Sequence, residues 1–404
     1  MKIKYAFKVF WMAILVVFVG GFAVQARVSL ERESEITLSQ EVAVSRWVIL
    51  NNATTIGIAQ NAILAIHQGE VERFPIIEGL VVKTGVAPNR QYWAAMRIFP
   101  LPPTDRHPRR VWLTIYNAQL KEESRVPLSI PYDAPLPEFA VNNNGQVMVV
   151  YRETATFVLY SRTGVKLKEG KLFARADYDL ERIVYLSPVG ATNGFLLAAT
   201  HHGMTVNRNM EPELLQFEGK GNMKWRKKIS ADAIGQLAVS PQGQFNALAT
   251  YSFKGQQIVK SSRIFNRAGE PLLNVEVLFK TATFSHDEAQ VFLADNEEAY
   301  MVNVQEKEVA WHKHLADPGA MITAAVFDPS NPSVFVLIAR NKYENGRFQF
   351  VDPKLVVLNE VGEVVDETAF PGKAFLKPAL YFDPEQKYLQ IGFTHSIQKL
   401  KVSQ

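Results

Sequence analysis

The 404-residue chain has no cysteine. That absence excludes disulfides, thiolate metal sites, cysteine nucleophiles, covalent haem attachment and a lipidated-cysteine anchor. A clustered basic surplus is missing too. The formal net charge is +4, and Lys2, Lys4 and Lys8 supply three of those charges. Beyond residue 26 the chain holds 41 basic and 40 acidic residues, a net of +1. Nucleic-acid binders concentrate positive charge, so no nucleic-acid partner is expected. Gly-x-Ser-x-Gly, a phosphate loop and His-Glu-x-x-His are all absent. No amphipathic helix is legible after residue 30. With 47% hydrophobic and 21% charged residues, the composition is that of a globular protein.

The N-terminus reads as an export signal. Lys2, Lys4 and Lys8 precede an uncharged run from Val9 to Val24 that includes Phe10, Trp11 and Ile14 to Val19. Small residues at Val24 and Ala26 then suit signal-peptidase cleavage. The run falls short of the ~20 residues a membrane span wants. The expectation is a signal peptide at 1–26, a single domain at 27–404, and a periplasmic or extracellular location. An uncleaved segment would instead tether the protein to a membrane.

What is present is a repeat. A short apolar strand, a turn with Pro, Asn, Asp or Gly, and a second apolar strand recur along the chain. Examples are Val86-Ala87-Pro88-Asn89 before Tyr92-Trp93, and Val141 with Asn142-Asn143-Asn144-Gly145 before Val147-Met148. Val239-Ser240-Pro241 precedes Ala247-Leu248-Ala249, and Phe382-Asp383-Pro384 precedes Tyr388-Leu389. From Pro88 to Pro384 there are six intervals of about 49 residues. A four-stranded propeller blade takes ~40–50 residues. The second half of each unit adds another strand pair joined by a tight turn, such as Arg162-Thr163-Gly164 or Asn359-Glu360-Val361-Gly362.

The expected fold is an all-β propeller of four-stranded antiparallel blades. A weaker unit from Trp47 to Ile77 brings the count to eight, or seven if it is only an elaboration. The last unit has three strands, and Glu35–Val42 supplies a spare strand that would close the ring. The repeats resemble those of WD40-like and quinoprotein-like β-propellers at superfamily level over residues 34–404. The Trp-Asp and Gly-His pairs of WD repeats are missing. Gly221-Asn222-Met223-Lys224-Trp225 is similar to the Gly-x-x-x-Trp ending of quinoprotein blades. No cofactor is expected, because quinoprotein vicinal cysteines are impossible here.

Let strands A to D run from the inside of a blade outward. The A–B and C–D turns share one face, where they are short. The B–C loops share the other face with the D–A loops, and several are elaborated: 100–110, 201–212, 251–255 and 341–353. Elaborated loops on a rigid scaffold are where binding resides. The candidate ligand-binding residues there are Arg106, His107, Arg109, Arg110, His201, His202, Tyr251, Tyr343 and Arg347. A Pro-rich basic loop is equally consistent with simple solvation, and His201-His202 with ordinary loop histidines. His312 and His314, at i and i+2, share one strand face; metal binding or an outer surface both fit.

Two function classes follow. The first is a non-catalytic exported propeller binding a protein, peptide or glycan through the B–C face. The second is a hydrolase or lyase using Glu138, Glu181, Asp232 and Asp317, which precede or open inner strands and so ring the channel mouth. It requires two of them within about 5–10 Å across a pocket. A structural cell-envelope component is a third possibility.

Overall fold

The computed structural model describes residues 28–403 apart from 52, 61, 68, 76–78, 100–108, 173–181, 202–211 and 345. The expected signal segment, 1–26, lies outside the described residues. The strands form eight antiparallel sheets. Blades 1 to 7 each use consecutive strands, spanning 44–75, 80–130, 138–171, 182–228, 233–275, 281–314 and 320–369. Blade 8 combines Leu380–Asp383, Tyr388–Gly392 and Ser396–Ser403 with Ser29–Thr37 from the other end of the chain.

The eight-blade reading therefore holds. The weak first unit is a full blade, Val44–Ile49, Thr54–Ala59, Ala62–His67 and Glu70–Pro75. The closing strand lies earlier than expected, at Ser29–Thr37, antiparallel to Ser396–Ser403. Blade 7 gains a short extra strand, Ala374–Phe375, paired to its strand C.

Side-chain alternation decides where the core sits. Each central strand is buried on both faces, so each blade offers apolar side chains to both neighbours. In blade 7, Phe335, Leu337 and Ala339 pack toward blade 8. Val334, Val336 and Ile338, on the opposite face, pack toward blade 6. The buried residues fall into eight clusters, and each fills the seam between two adjacent blades.

Tryptophans lock three of these seams. Trp225 and Trp311, on the outer strands of blades 4 and 6, lie over Gly269 and Gly362 in the C–D turns of blades 5 and 7. Their indole N–H groups donate to Arg267 O at 3.2 Å and Glu360 O at 2.9 Å in those turns. Both glycines have positive φ, and a Cβ at Gly362 would sit 2.8 Å from the Trp311 ring. The Gly-x-x-x-Trp similarity at Trp225 thus marks a docking contact between blades. Trp47 locks the closing seam, donating from Nε1 to Phe393 O at 2.8 Å.

Trp311 is 8% exposed. Trp311→Ala is expected to lower stability in urea unfolding by about 3–5 kcal/mol, the usual cost of emptying a buried aromatic site. Trp225→Ala, at a half-buried ring, is expected to cost less.

Candidate functional site

The two faces of the ring are built differently. On the A–B face, neighbouring turns are stitched together. Asn143 Oδ1 accepts from Asn89 N at 2.8 Å, and Asn143 Nδ2 donates to Gly190 O at 2.9 Å. These bonds join blades 2, 3 and 4. Glu288, in the turn of blade 6, accepts from the backbone of Gln242 and Gln244 in blade 5. Arg90 is largely buried, donates to Ile49 O and stacks 4.1 Å from the Tyr381 ring. Polar groups on this face are committed to holding blades together.

The B–C face carries projections. Two expected loops are strands instead. In blade 5, Phe245–Lys254 and Gln257–Asn266 pair out to Lys254↔Gln257. In blade 7, Val334–Glu344 and Arg347–Leu358 pair out to Glu344↔Arg347. Pairing satisfies backbone groups that a loop would leave to water. Gly255 and Gly346, in the two-residue tips, supply positive φ. Tyr251 and Phe253 make an edge-to-face pair at 5.6 Å on the first hairpin. Tyr343 and Phe348 lie 4.8 Å apart on the second and are 63% and 66% exposed. Arg347 is exposed at that tip.

Strand alternation assigns each hairpin two sides. Tyr251 and Phe253 continue the row of Ala247 and Ala249, which faces blade 6. Tyr343 continues the row of Leu337 and Ala339, which faces blade 8. Lys342 and Glu344, ion-paired at 3.3 Å, occupy the opposite side, toward blade 6.

At the channel mouth on this face lies a cavity of about 660 Å³. Arg46, Lys83, Arg152 and Lys377 line it with a single acid, Glu138. Glu138 bridges Lys83 and Arg152. Arg46 Nη1 donates to Thr84 Oγ1 at 3.2 Å. Burial pushes the Lys83 ammonium below the usual lysine range; Glu138 opposes that shift, while Arg152 and Arg46 add to it. Burial, then Arg46 and Lys83, also lower Lys377. Burial raises Tyr185, with smaller contributions from Tyr251 and Glu138 and an opposing one from Arg152.

The other expected residues are placed as follows. Arg106, His107 and His202 lie outside the described residues, as does Glu181. Arg109 and Arg110 open strand C of blade 2 rather than belonging to a loop, because the strand pairs with Glu122–Ile130 up to Arg109↔Ile130. His201 ends strand B of blade 4. Asp232 accepts from Phe253 N at 2.5 Å and so holds the root of the blade 5 hairpin. Asp232 and Asp317 do not line the cavity that contains Glu138. Glu138 itself is surrounded by cations. Arg46, Lys83, Arg152 and Lys377 escaped sequence reasoning; for Arg46 and Lys83 the available signal was a charge on an inner strand, while Arg152 and Lys377 lie outside the strands.

His312 and His314 do lie on an outer strand, Glu308–His314 of blade 6. Both meet Glu298: Oε2 to His312 Nε2 at 2.6 Å and Oε1 to His314 Nδ1 at 2.9 Å. Each imidazole takes its own carboxylate oxygen. Among the described residues no three His, Asp or Glu side chains are grouped as a metal ion would require. The bond to Glu298 raises His314, and the same bond lowers Glu298. The charged bridge therefore weakens as pH rises through the raised His314 midpoint, and again as pH falls through the lowered Glu298 midpoint. An NMR titration is expected to place His314 above the ordinary histidine value of ~6.5. Glu298→Gln is expected to bring that midpoint down.

No protein-family model matches the sequence, and neither does any curated protein. Solved structures do match in shape. The Dos1 propeller superposes with a TM-score of 0.58 at 9% identity, over 92% of this chain and 95% of that one. The C-terminal WD40 domain of Sif2 gives 0.57 at 8% identity, over 93% and 99%. The fold is a β-propeller.

Proposed function

We propose that this protein is an exported, non-catalytic propeller that binds a protein or peptide partner on its B–C face. The two projecting hairpins carry the reading. Phe253, Tyr343 and Phe348 present exposed aromatic rings beyond the rim of a rigid ring, with half-buried Tyr251 packed against Phe253 and Arg347 at the second tip. Aromatic and arginine side chains dominate the energy of protein interfaces. The stitched A–B turns leave that face less to offer. Propellers of this kind typically act as protein-binding scaffolds, which supports a protein partner over a glycan. Export rests on the pattern of residues 1–26. The hydrolase or lyase reading loses support, because Asp232 is held by Phe253 N and Glu138 by two cations.

Affinity capture from the native envelope or medium tests this proposal. Wild type is compared with the double variants Tyr343→Ser/Phe348→Ser and Tyr251→Ser/Phe253→Ser, and with Lys121→Ala on the opposite face. The expected result is a partner retained by wild type and Lys121→Ala. Its affinity should fall about thirtyfold in at least one hairpin variant, the ~2 kcal/mol of an interface hot spot. Equal capture by all four proteins overturns the assignment.

A further inference from the structure

The blades can be aligned by their own hydrogen-bond ladders. In six of them the pair next to the A–B turn is Ile49↔Thr55, Val86↔Trp93, Val141↔Val147, Val239↔Asn246, Phe284↔Val291 and Phe327↔Val334. Three pairs further along strand A, toward the channel mouth on the B–C face, comes one equivalent position per blade. Blades 1, 2 and 3 place Arg46, Lys83 and Glu138 there. Blades 5, 6 and 7 place Gln236, Thr281 and Ala324. A bulge precedes this position in blades 1, 2, 5 and 7 alike, before Arg46, Lys83, Gln236 and Ala324, so it belongs to the repeat and only the residue type differs.

One arc of the mouth is thus charged and the other neutral. Arg152 and Lys377 join the charged arc from the B–C loop of blade 3 and the segment before blade 8. Four cations and one carboxylate leave a net charge of +3 in one cavity. Glu138 accounts for Lys83 and Arg152. Lys377 makes no ion pair among the described residues. Arg46 uses two of its five donors on Thr84 and Val82, at 3.2 and 3.5 Å. Burial first, and the neighbouring cations second, lower Lys83 and Lys377. Folding alone gives no reason to gather them on adjacent blades.

We propose that the channel mouth binds a small multivalent oxyanion, a polycarboxylate or a phosphate compound, through Arg46 and Lys377, with Lys83 and Arg152 supporting. About 660 Å³ is the size of a small-molecule site. The guanidinium fork of Arg46 suits the paired oxygens of either group. The charged end of the ligand lies against blades 8, 1, 2 and 3, and its body extends toward the neutral arc. This site is separate from the hairpins and goes beyond the partner-binding role.

Isothermal titration calorimetry with citrate and with pyrophosphate tests the site, at about 0.1 M salt so that distant charges are screened. Glucose serves as the neutral control. Wild type is expected to bind at least one anion saturably at one site and to ignore glucose. Lys377→Gln, at an exposed rim position, and Arg46→Gln are each expected to weaken binding tenfold or more while melting normally. If Arg46→Gln does not fold, Lys377→Gln alone decides. Affinity is expected to fall with rising pH below the ordinary lysine range, because the ammonium groups there lose protons early. Preference for citrate identifies a carboxylate ligand, and preference for pyrophosphate a phosphate. Tyr343→Ser/Phe348→Ser is expected to bind the anions unchanged, so failure here and failure of the hairpin assignment are distinguishable. No saturable binding by wild type, or equal affinity in Lys377→Gln, overturns the proposal.

Discussion

A sheet that is apolar on both faces cannot stand alone. Each blade here has that property, and the only way to cover both faces of every blade is a closed ring. The core is consequently a set of eight seams rather than one centre. The last seam carries the closure. Ser29–Thr37 completes blade 8, and Trp47 of blade 1 reaches Phe393 across 346 positions of sequence. Pairing the two ends of the chain in one sheet gives blade 8 its fourth strand, with Ser29–Thr37 as the outer edge. A ring closed in this way ties distant segments together without a covalent bond, which is how a chain without cysteine maintains its shape.

Most of this architecture was legible because the A–B turns repeat their chemistry. Asn142, Ser285, Asp328 and Asp383 each use a side chain to hold the turn backbone or its neighbours. Such residues leave a mark in sequence at every blade. The closing strand was harder to place. It is an outer strand, largely solvent-exposed, and its Glu31-Arg32-Glu33-Ser34 stretch shows no hydrophobic alternation. Pattern reading shifted it toward Ile36, Leu38 and Val42, where apolar residues are denser. Ile36 lies near the end of the strand, whereas Leu38 and Val42 follow it toward blade 1, and all three pack in the cluster that holds Trp47.

The site was less legible, for two different physical reasons. The hairpins of blades 5 and 7 had a local signal. Asn345-Gly346 between alternating runs, and Gln257-Ile258-Val259-Lys260 after Gly255, favour paired strands over loops. The basic mouth had none. Arg46, Lys83, Arg152 and Lys377 come from four blades, and no window of sequence contains two of them. Only superposing the repeats exposes a cation where other blades carry Gln236, Thr281 or Ala324.

That comparison bears on how such a fold acquires function at all. Eight similar blades create eight similar positions, and a site must break the equivalence. Here it is broken twice on the same face. Blades 5 and 7 lengthen strands B and C, which moves aromatic surface outward without disturbing the seams below. Blades 1, 2 and 3 change residues on strand A, which moves charge into the channel. The first device suits a large surface and the second a small ion. They occupy different arcs of the ring, blades 5 and 7 for the hairpins and blades 8, 1, 2 and 3 for the charge. Contacts made at one arc therefore leave the residues of the other in place, and each can change in sequence without cost to its counterpart.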